Sequence, residues 1–272
     1  MKQLFRVLTV TALIAALTFS PGCIFIDDDV LNSDGSVNNT NYTASETFSM
    51  SLTANGKSLI TVTGVNGDVH IIGSASADSV IVDGIKMVSS ESQADAREHM
   101  EELGIGLIHL SDEIRISTQQ PQETHGRLYT VNYTIIVPED FQVNVENVNG
   151  SVTVENILNY VEADNVNGAI DFTDIQGSVQ ANLVNGQITA KVILPENGDV
   201  DLQTVNGNIV LQVPVSVSVD LRADVVVGSI TISGLTVTDV TSTMTSYRCT
   251  IGTGRGDIDL ETVNGNITVS GF

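Results

Sequence analysis

The chain contains no tryptophan, and aromatic residues make up only 4% of its 272 residues. A core of this size therefore cannot rest on aromatic rings. It must be filled by Val, Ile, Leu and Ala, a composition that suits sheets better than helices. Basic residues are also scarce: 11 Lys and Arg stand against 33 Asp and Glu, for a formal charge of −22. That deficit removes the positive footprint a nucleic-acid binder needs, and it argues equally against docking on anionic lipid. With only two cysteines, Cys23 and Cys249, there is no disulfide framework and no thiolate metal set. The four histidines, His70, His99, His109 and His125, lack metal-ligand spacing. No cofactor and no protein-held metal site is expected. Weak divalent-cation binding by the acidic surface stays open. What is present is apolar content of 42%, too high for a disordered chain.

The first 22 residues read as a signal peptide. Lys2 and Arg6 form a positive start, and Leu8 to Phe19 an apolar stretch too short to span a bilayer comfortably. Ser20-Pro21-Gly22-Cys23 follows and resembles a bacterial lipobox, in which Cys23 becomes the lipidated first residue. The rival reading is ordinary cleavage after Gly22 and secretion. Either cleavage takes the formal charge from −22 to −24, because it removes two basic residues and no acid. A lipidated Cys23 leaves Cys249 unpaired; an unlipidated one is free to bridge to Cys249 in an oxidising compartment. Residues 23–45, rich in Asp, Asn and Ser, read as a tether. In a Gram-negative envelope, Ile24 after the cysteine favours the outer membrane.

Residues 46–140 are expected to hold strands and one helix that cap a repeat. A hairpin is expected about Asn55-Gly56, followed by a first Val-Asn-Gly at 65–67. "SSESQADAREHMEELGIG" predicts a helix over about 90–103, with Ser90 and Gln93 in capping-box spacing and Gly104 as the stop. Ala94, Met100 and Leu103 would form its buried stripe.

From residue 141 to 272 the chain repeats. Glycines recur at 150, 168, 186, 207, 228 and 265, in steps of 18, 18, 21, 21 and 37, and most follow Val-Asn. The last step holds two coils if an imperfect one is centred on Tyr247, which puts Cys249 at an inward site. Apolar residues keep register with each glycine at positions −7, −5, −2, +2, +4 and +7. About Gly150 these are Val143, Val145, Val148, Val152, Val154 and Ile157; about Gly168 they are Val161, Ala163, Val166, Ile170, Phe172 and Ile175. Val179, Val184 and Ile188 occupy such places about Gly186, Val205 and Ile209 about Gly207, and Ile230 and Ile232 about Gly228. Ile258, Leu260, Val263, Ile267, Val269 and Phe272 do so about Gly265. Gaps of two belong to strands and the longer gaps to corners. The reading is an all-β protein, a single-chain parallel β-solenoid of about 18 residues per coil. Val166 is expected inside and Asn165 outside. The pairs Asn66-Gly67, Asn149-Gly150, Asn167-Gly168, Asn185-Gly186, Asn206-Gly207 and Asn264-Gly265, with Gly228, are the structural turns. Glycine supplies backbone that a Cβ resists, and stacked asparagines are placed to hydrogen-bond in a ladder.

"ITVTGVNGDVHI", the helix beginning near Ser90, "VNYTIIVPEDFQVNVENVNGSVTV" and the later Val-Asn-Gly coils resemble the bacterial adhesin-like family of β-strand-repeat envelope proteins, a domain-of-unknown-function family. The resemblance covers roughly residues 46–272. It implies an envelope β-solenoid, often membrane-tethered, with some relatives associated with envelope-stress signalling. It implies no catalytic residues.

Asp164, Asp171, Asp174, Asp201, Asp257 and Asp259 fall at outward places, where paired carboxylates can act as acid and base. A repeat also makes acidic ladders by construction. The Gly-Gly-x-Gly-x-Asp loop of calcium β-rolls is missing, and Arg255-Gly256-Asp257 reads as turn punctuation. The function expected is a non-enzymatic envelope lipoprotein with a binding or scaffolding surface. Its partners would be the membrane through the anchor and an envelope protein or glycan. The alternatives are a stress-regulatory module acting through a protein partner and, more remotely, a polysaccharide-acting enzyme.

Overall fold

The computed structural model describes residues 42–272. The signal peptide, Cys23 and the tether up to residue 41 lie outside the described residues. Among the described residues the fold is all-β with one short helix, and each coil consists of a strand leading into a glycine turn and a strand trailing from it. We name the coils by their turn glycine. The Gly67 coil joins Leu59–Thr63 to Val69–Ser74, the Gly150 coil Gln142–Asn149 to Val152–Glu155, and the Gly168 coil Val161–Asn167 to Ile170–Ile175. The Gly186 coil joins Val179–Asn185 to Ile188–Val192, and the Gly207 coil Asp199–Asn206 to Ile209–Val213. The Gly228 coil joins Val219–Val227 to Ile230–Ser233, and the Gly265 coil Gly256–Asn264 to Ile267–Gly271. Leading strands form an 11-stranded sheet and trailing strands a 10-stranded sheet.

The pairing is mixed rather than purely parallel. Coils stack in parallel, but antiparallel strands close the ends. At one end Ser79–Ser90 and Tyr42–Thr53 extend the trailing sheet, and Gly104–His109 extends the leading one. The expected hairpin about Asn55-Gly56 is absent: the strand before it pairs with Ser79–Ser90, while the strand after it enters the other sheet. That first strand starts at Tyr42, inside the expected tether. Nor does the stack begin at residue 141. The Gly67 coil lies between the Gly150 coil and a coil formed by Glu113–Gln119 and Leu128–Pro138. At the other end the Gly265 coil, last in sequence, inserts between the Gly207 and Gly228 coils. The coil expected about Tyr247 does not form. Val237–Ser242 and Ser246–Ile251 make an antiparallel hairpin on the leading sheet instead.

The core runs between the sheets and consists almost wholly of branched aliphatics. Val143, Val145, Val152, Val154 and Ile157 are buried in one coil, and Val161, Ala163, Ile170, Phe172 and Ile175 in the next. Val179, Ile188, Ile209, Ile258, Leu260, Ile267 and Val269 are buried in later coils. The −2 valines are not: Val148, Val166, Val184, Val205 and Val263 are only half-buried. The leading strand keeps its two-residue alternation one step further than the sequence pattern implies, so position −3 points inward. Asn147, Asn165, Leu183, Thr204 and Thr262 fill that row. The donor groups of the polar members are met there by turn carbonyls of the preceding coil, while Asn147 Oδ1 is buried without a partner. Asn165 Nδ2 donates to Gly150 O at 2.8 Å, Asn147 Nδ2 to Gly67 O at 3.1 Å and Thr262 Oγ1 to Gly207 O at 2.9 Å. Ile230 and Ile232 are only partly buried because their coil ends the sheet. Phe272 is exposed, with Lys191 Nζ over its ring at 5.2 Å.

The turns explain the repeated Asn-Gly. Asn149 donates to Asn66, Asn167 to Asn149, Asn185 to Asn167, Asn206 to Asn185 and Asn264 to Asn206, each amide at 2.8–2.9 Å. None of these asparagines has positive φ; they are present for the ladder rather than for backbone tolerance. A Cβ on Gly207 would stand 1.6 Å from Gly186 O, a clash that holds without any left-handed φ at this residue.

The helix, α1, spans Gln93–Glu98 and continues as a 3-10 turn over His99–Glu102. Its cap is Ser92, which accepts from Asp95 N, whereas Ser90 donates to the Asp95 side chain. Ala96 and Leu103 are buried and Ala94 is exposed, so the expected stripe is shifted. Arg127 clamps Asp95 with two hydrogen bonds of 2.7 Å and, with Ser90, holds its carboxyl well below the usual range.

Candidate functional site

Alternation that points −7, −5 and −3 inward points −8, −6 and −4 outward, and on the leading sheet these outward rows are acidic. In-register stacking makes them cross-strand neighbours. Asp199, Asp257 and Asp220 align on three adjacent strands. One row along, Asp201 and Asp259 align with Arg222 and then with Arg248 of the antiparallel hairpin. These residues line an open groove of about 700 Å³ at the Gly228 end of the sheet. Like charges one strand spacing apart repel, and two devices temper that cost. Neutral donors bond to the carboxylates: Thr250 Oγ1 to Asp220 at 2.7 Å, and Gln203 Nε2 to Asp201 at 2.8 Å. The arginines close the groove on one side, with Arg248 3.7 Å from Asp224.

Toward the middle of the sheet the rows are interrupted by the neutral Ser178, Gln180 and Asn182 of the Gly186 coil, and acid returns at Glu162 and Asp164. There Asn182 donates to Asp164 at 2.7 Å, and Tyr160 Oη donates to Gln180 at 3.2 Å. Burial raises the carboxyls of Asp164 and Glu162 above their ordinary range, and the Asp164 charge adds to the effect on Glu162. Burial also pushes the Tyr160 phenol up to about 12, with the Glu162 charge second.

The carboxylates singled out in the sequence therefore divide. Asp164, Asp201, Asp257 and Asp259 share the leading face. Asp171 lies on the trailing sheet, and Asp174 sits at a corner, with Lys191 Nζ at 2.7 Å. Asp199, Asp220, Arg222 and Arg248 join the groove without having been singled out. Asp199, Asp220 and Asp257 share place −8 in their own coils, so the register itself holds the signal for those three. Arg255-Gly256-Asp257 is not a protruding loop: Gly256 is buried at the start of a strand.

No described histidine and no activated thiol joins the carboxylates that line the groove. Cys249 is buried beneath the groove with no partner cysteine among the described residues; burial, with the Asp220 charge second, raises its thiol and so disfavours the nucleophilic thiolate. His70 pairs with Glu155 at 3.1 Å on the trailing sheet, and His99 lies 3.5 Å from Asp95 beside the helix. Among the described residues no group of three or more His, Cys, Asp or Glu is arranged to hold a metal ion. None of their helices is long and apolar enough to cross a membrane.

Fold and face together define an all-β stacked-coil protein with an acidic sheet surface. Residues 27–270 match the family described as Toastrack DUF4097, a domain of unknown function, and the chain belongs to that family. Among solved structures it is similar to a "putative cell adhesion protein" from Clostridium sporogenes, with a TM-score of 0.51 and 14% identity. That match covers 84% of this chain and 100% of the other, and it is a likeness of fold. No curated protein matches the chain.

Proposed function

We propose that this protein is a non-enzymatic cell-envelope lipoprotein, anchored through Cys23, whose stacked sheets present the acidic leading face as a binding and scaffolding surface. The observation that carries the reading is the in-register set Asp199, Asp257 and Asp220 beside Asp201 and Asp259, lining a groove. A sheet fixes the backbone positions of these charges at strand spacing, and preorganisation of that kind favours recognition. The partner would be a basic or cation-bridged segment of an envelope protein or glycan. Similarity of fold to a protein described as adhesive supports a surface role.

Fractionation of cells expressing the wild-type chain and Cys23→Ser, with mass spectrometry of the mature N-terminus, tests the anchor. The expected result is a lipidated Cys23 and release of the variant from membranes. An unmodified Cys23, or a variant retained like wild type, contradicts it.

A further inference from the structure

The two ends of the stack are finished differently. At the Tyr42 end, antiparallel strands extend both sheets and α1 packs on the outermost trailing strands. At the Gly228 end the hairpin covers the leading strand only as far as Val225, and the trailing sheet stops at Ile230–Ser233 with no strand of the described residues beside it. The core is open there. Ile230 and Ile232 are only partly buried, while their counterparts Ile267 and Val269 one coil inward are fully buried. Val226 and Val227 are 62% and 63% exposed, and Met244 beyond them is 92% exposed.

The edge also lacks the usual protection. Natural edge strands are blunted by charge, proline or bulges. The neighbouring edge Val237–Ser242 has Asp239 at φ 51 and an irregular register. From Val225 to Thr238, however, the chain has neither charge nor proline. The asparagine ladder ends here as well, because Val227 stands in register with Asn264 where another asparagine would continue it. Backbone alternation leaves the open-side N–H and C=O groups of Ile230 and Ile232 facing outward, since Ser229 O already accepts from Ile267 N on the inner side.

We propose that this edge is an interface between two copies of the chain, formed by antiparallel pairing of Ile230–Ser233 with itself about a two-fold axis. Charge selects this occupant. A basic partner is drawn to the aspartate groove, whereas two copies of so acidic a chain can meet closely only where charge is missing. Self-pairing brings the two open core ends together and covers Val226 and Val227 of each copy. A head-to-tail contact does not fit, because the trailing sheet ends at the far side in the long strand Tyr42–Thr53, whose Glu46 is held by Lys86 at 3.0 Å. The arrangement is therefore closed and isologous rather than fibrous. It sets the two Tyr42 ends at opposite extremes of the assembly, a geometry suited to linking two surfaces.

Sedimentation velocity on the full chain in detergent, with Thr231→Lys/Ser233→Lys as the variant, tests this. Both side chains are exposed on the edge strand, so the fold should survive. The wild type should be dimeric at micromolar concentration, and the variant should dimerise about tenfold more weakly or worse, with an unchanged far-UV circular-dichroism spectrum. Mild oxidation should link two copies of Thr231→Cys and not two copies of Thr47→Cys, which lies on the opposite edge. A wild-type monomer at high concentration, a dimer indifferent to the lysine pair, or crosslinking through Thr47→Cys instead would each overturn the proposal.

Discussion

Asn165, 1% exposed, donates its side-chain amide to the carbonyl of Gly150 in the preceding coil at 2.8 Å, while its neighbour Val166 faces outward, half-buried. A polar residue lies inside and an apolar one outside, the reverse of what composition implies. Asn165→Asp should destabilise the fold by about 2–4 kcal/mol, since it sets a buried carboxylate against a carbonyl oxygen. Val166→Asp should cost about 1 kcal/mol or less. Urea denaturation of both variants measures the difference.

The same residues show how far the sequence could be read. Glycine spacing and the paired apolar positions give the coils, their two sheets and the aligned asparagines. The −3 row was hidden because a buried Asn or Thr is indistinguishable from an exposed one until its carbonyl partner is known. Coil order was hidden for a different reason. Every coil offers the same edge to its neighbour, so register says which residues align but not which coil comes next. One cue was available in Val227, the apolar residue at an asparagine place, which marks the end of the ladder. The groove depends on that order, because only the inserted Gly265 coil brings Asp257 and Asp259 beside Asp220 and Arg222.

Gly207→Ala tests close approach without φ strain. Its Cβ would meet Gly186 O at 1.6 Å, whereas a Cβ on Gly56 meets nothing within 4 Å. Gly207→Ala should cost about 3 kcal/mol or more through forced separation of the coils. Gly56→Ala should cost about 1 kcal/mol from its positive φ alone. Thermal melts of the two variants provide the comparison.

Asn-Gly pairs deamidate when the glycine nitrogen attacks the asparagine side chain, closing a succinimide and expelling ammonia. In the ladder that nitrogen is engaged: Gly150 N donates to Asn167 O at 2.9 Å and Gly168 N to Asn185 O at 3.0 Å. Asn55 and Gly56 are both exposed and outside the ladder. On ageing at mildly alkaline pH, peptide mapping should find Asn55 converted first and the six ladder asparagines protected. Denatured protein should convert all eight Asn-Gly pairs, including Asn197, whose Gly198 N donates to Pro195 O at 3.0 Å in the fold.

Burial raises the carboxyls of Asp164 and Glu162 in the folded state. A raised carboxyl binds its proton more tightly when folded, so its ionisation opposes folding above the folded pKa. That cost disappears as pH falls through the folded value towards the unfolded one. Asp164→Asn should therefore raise the melting temperature at neutral pH, and its advantage should shrink at about pH 4. The sign is opposite for Asp95, whose lowered carboxyl supports folding above its unfolded pKa and loses that support as pH falls towards the folded value.

Binding through the acidic face is tested most directly by a photo-crosslinking residue placed at Gln203, beside Asp201 on the leading sheet, and irradiated in intact envelopes. The account predicts a discrete adduct that weakens with salt, survives Asp→Asn at any one of Asp199, Asp220 and Asp257, and is lost when all three are neutralised together. No adduct at this face, or a glycan-cleaving activity abolished by a single one of those substitutions, would contradict it.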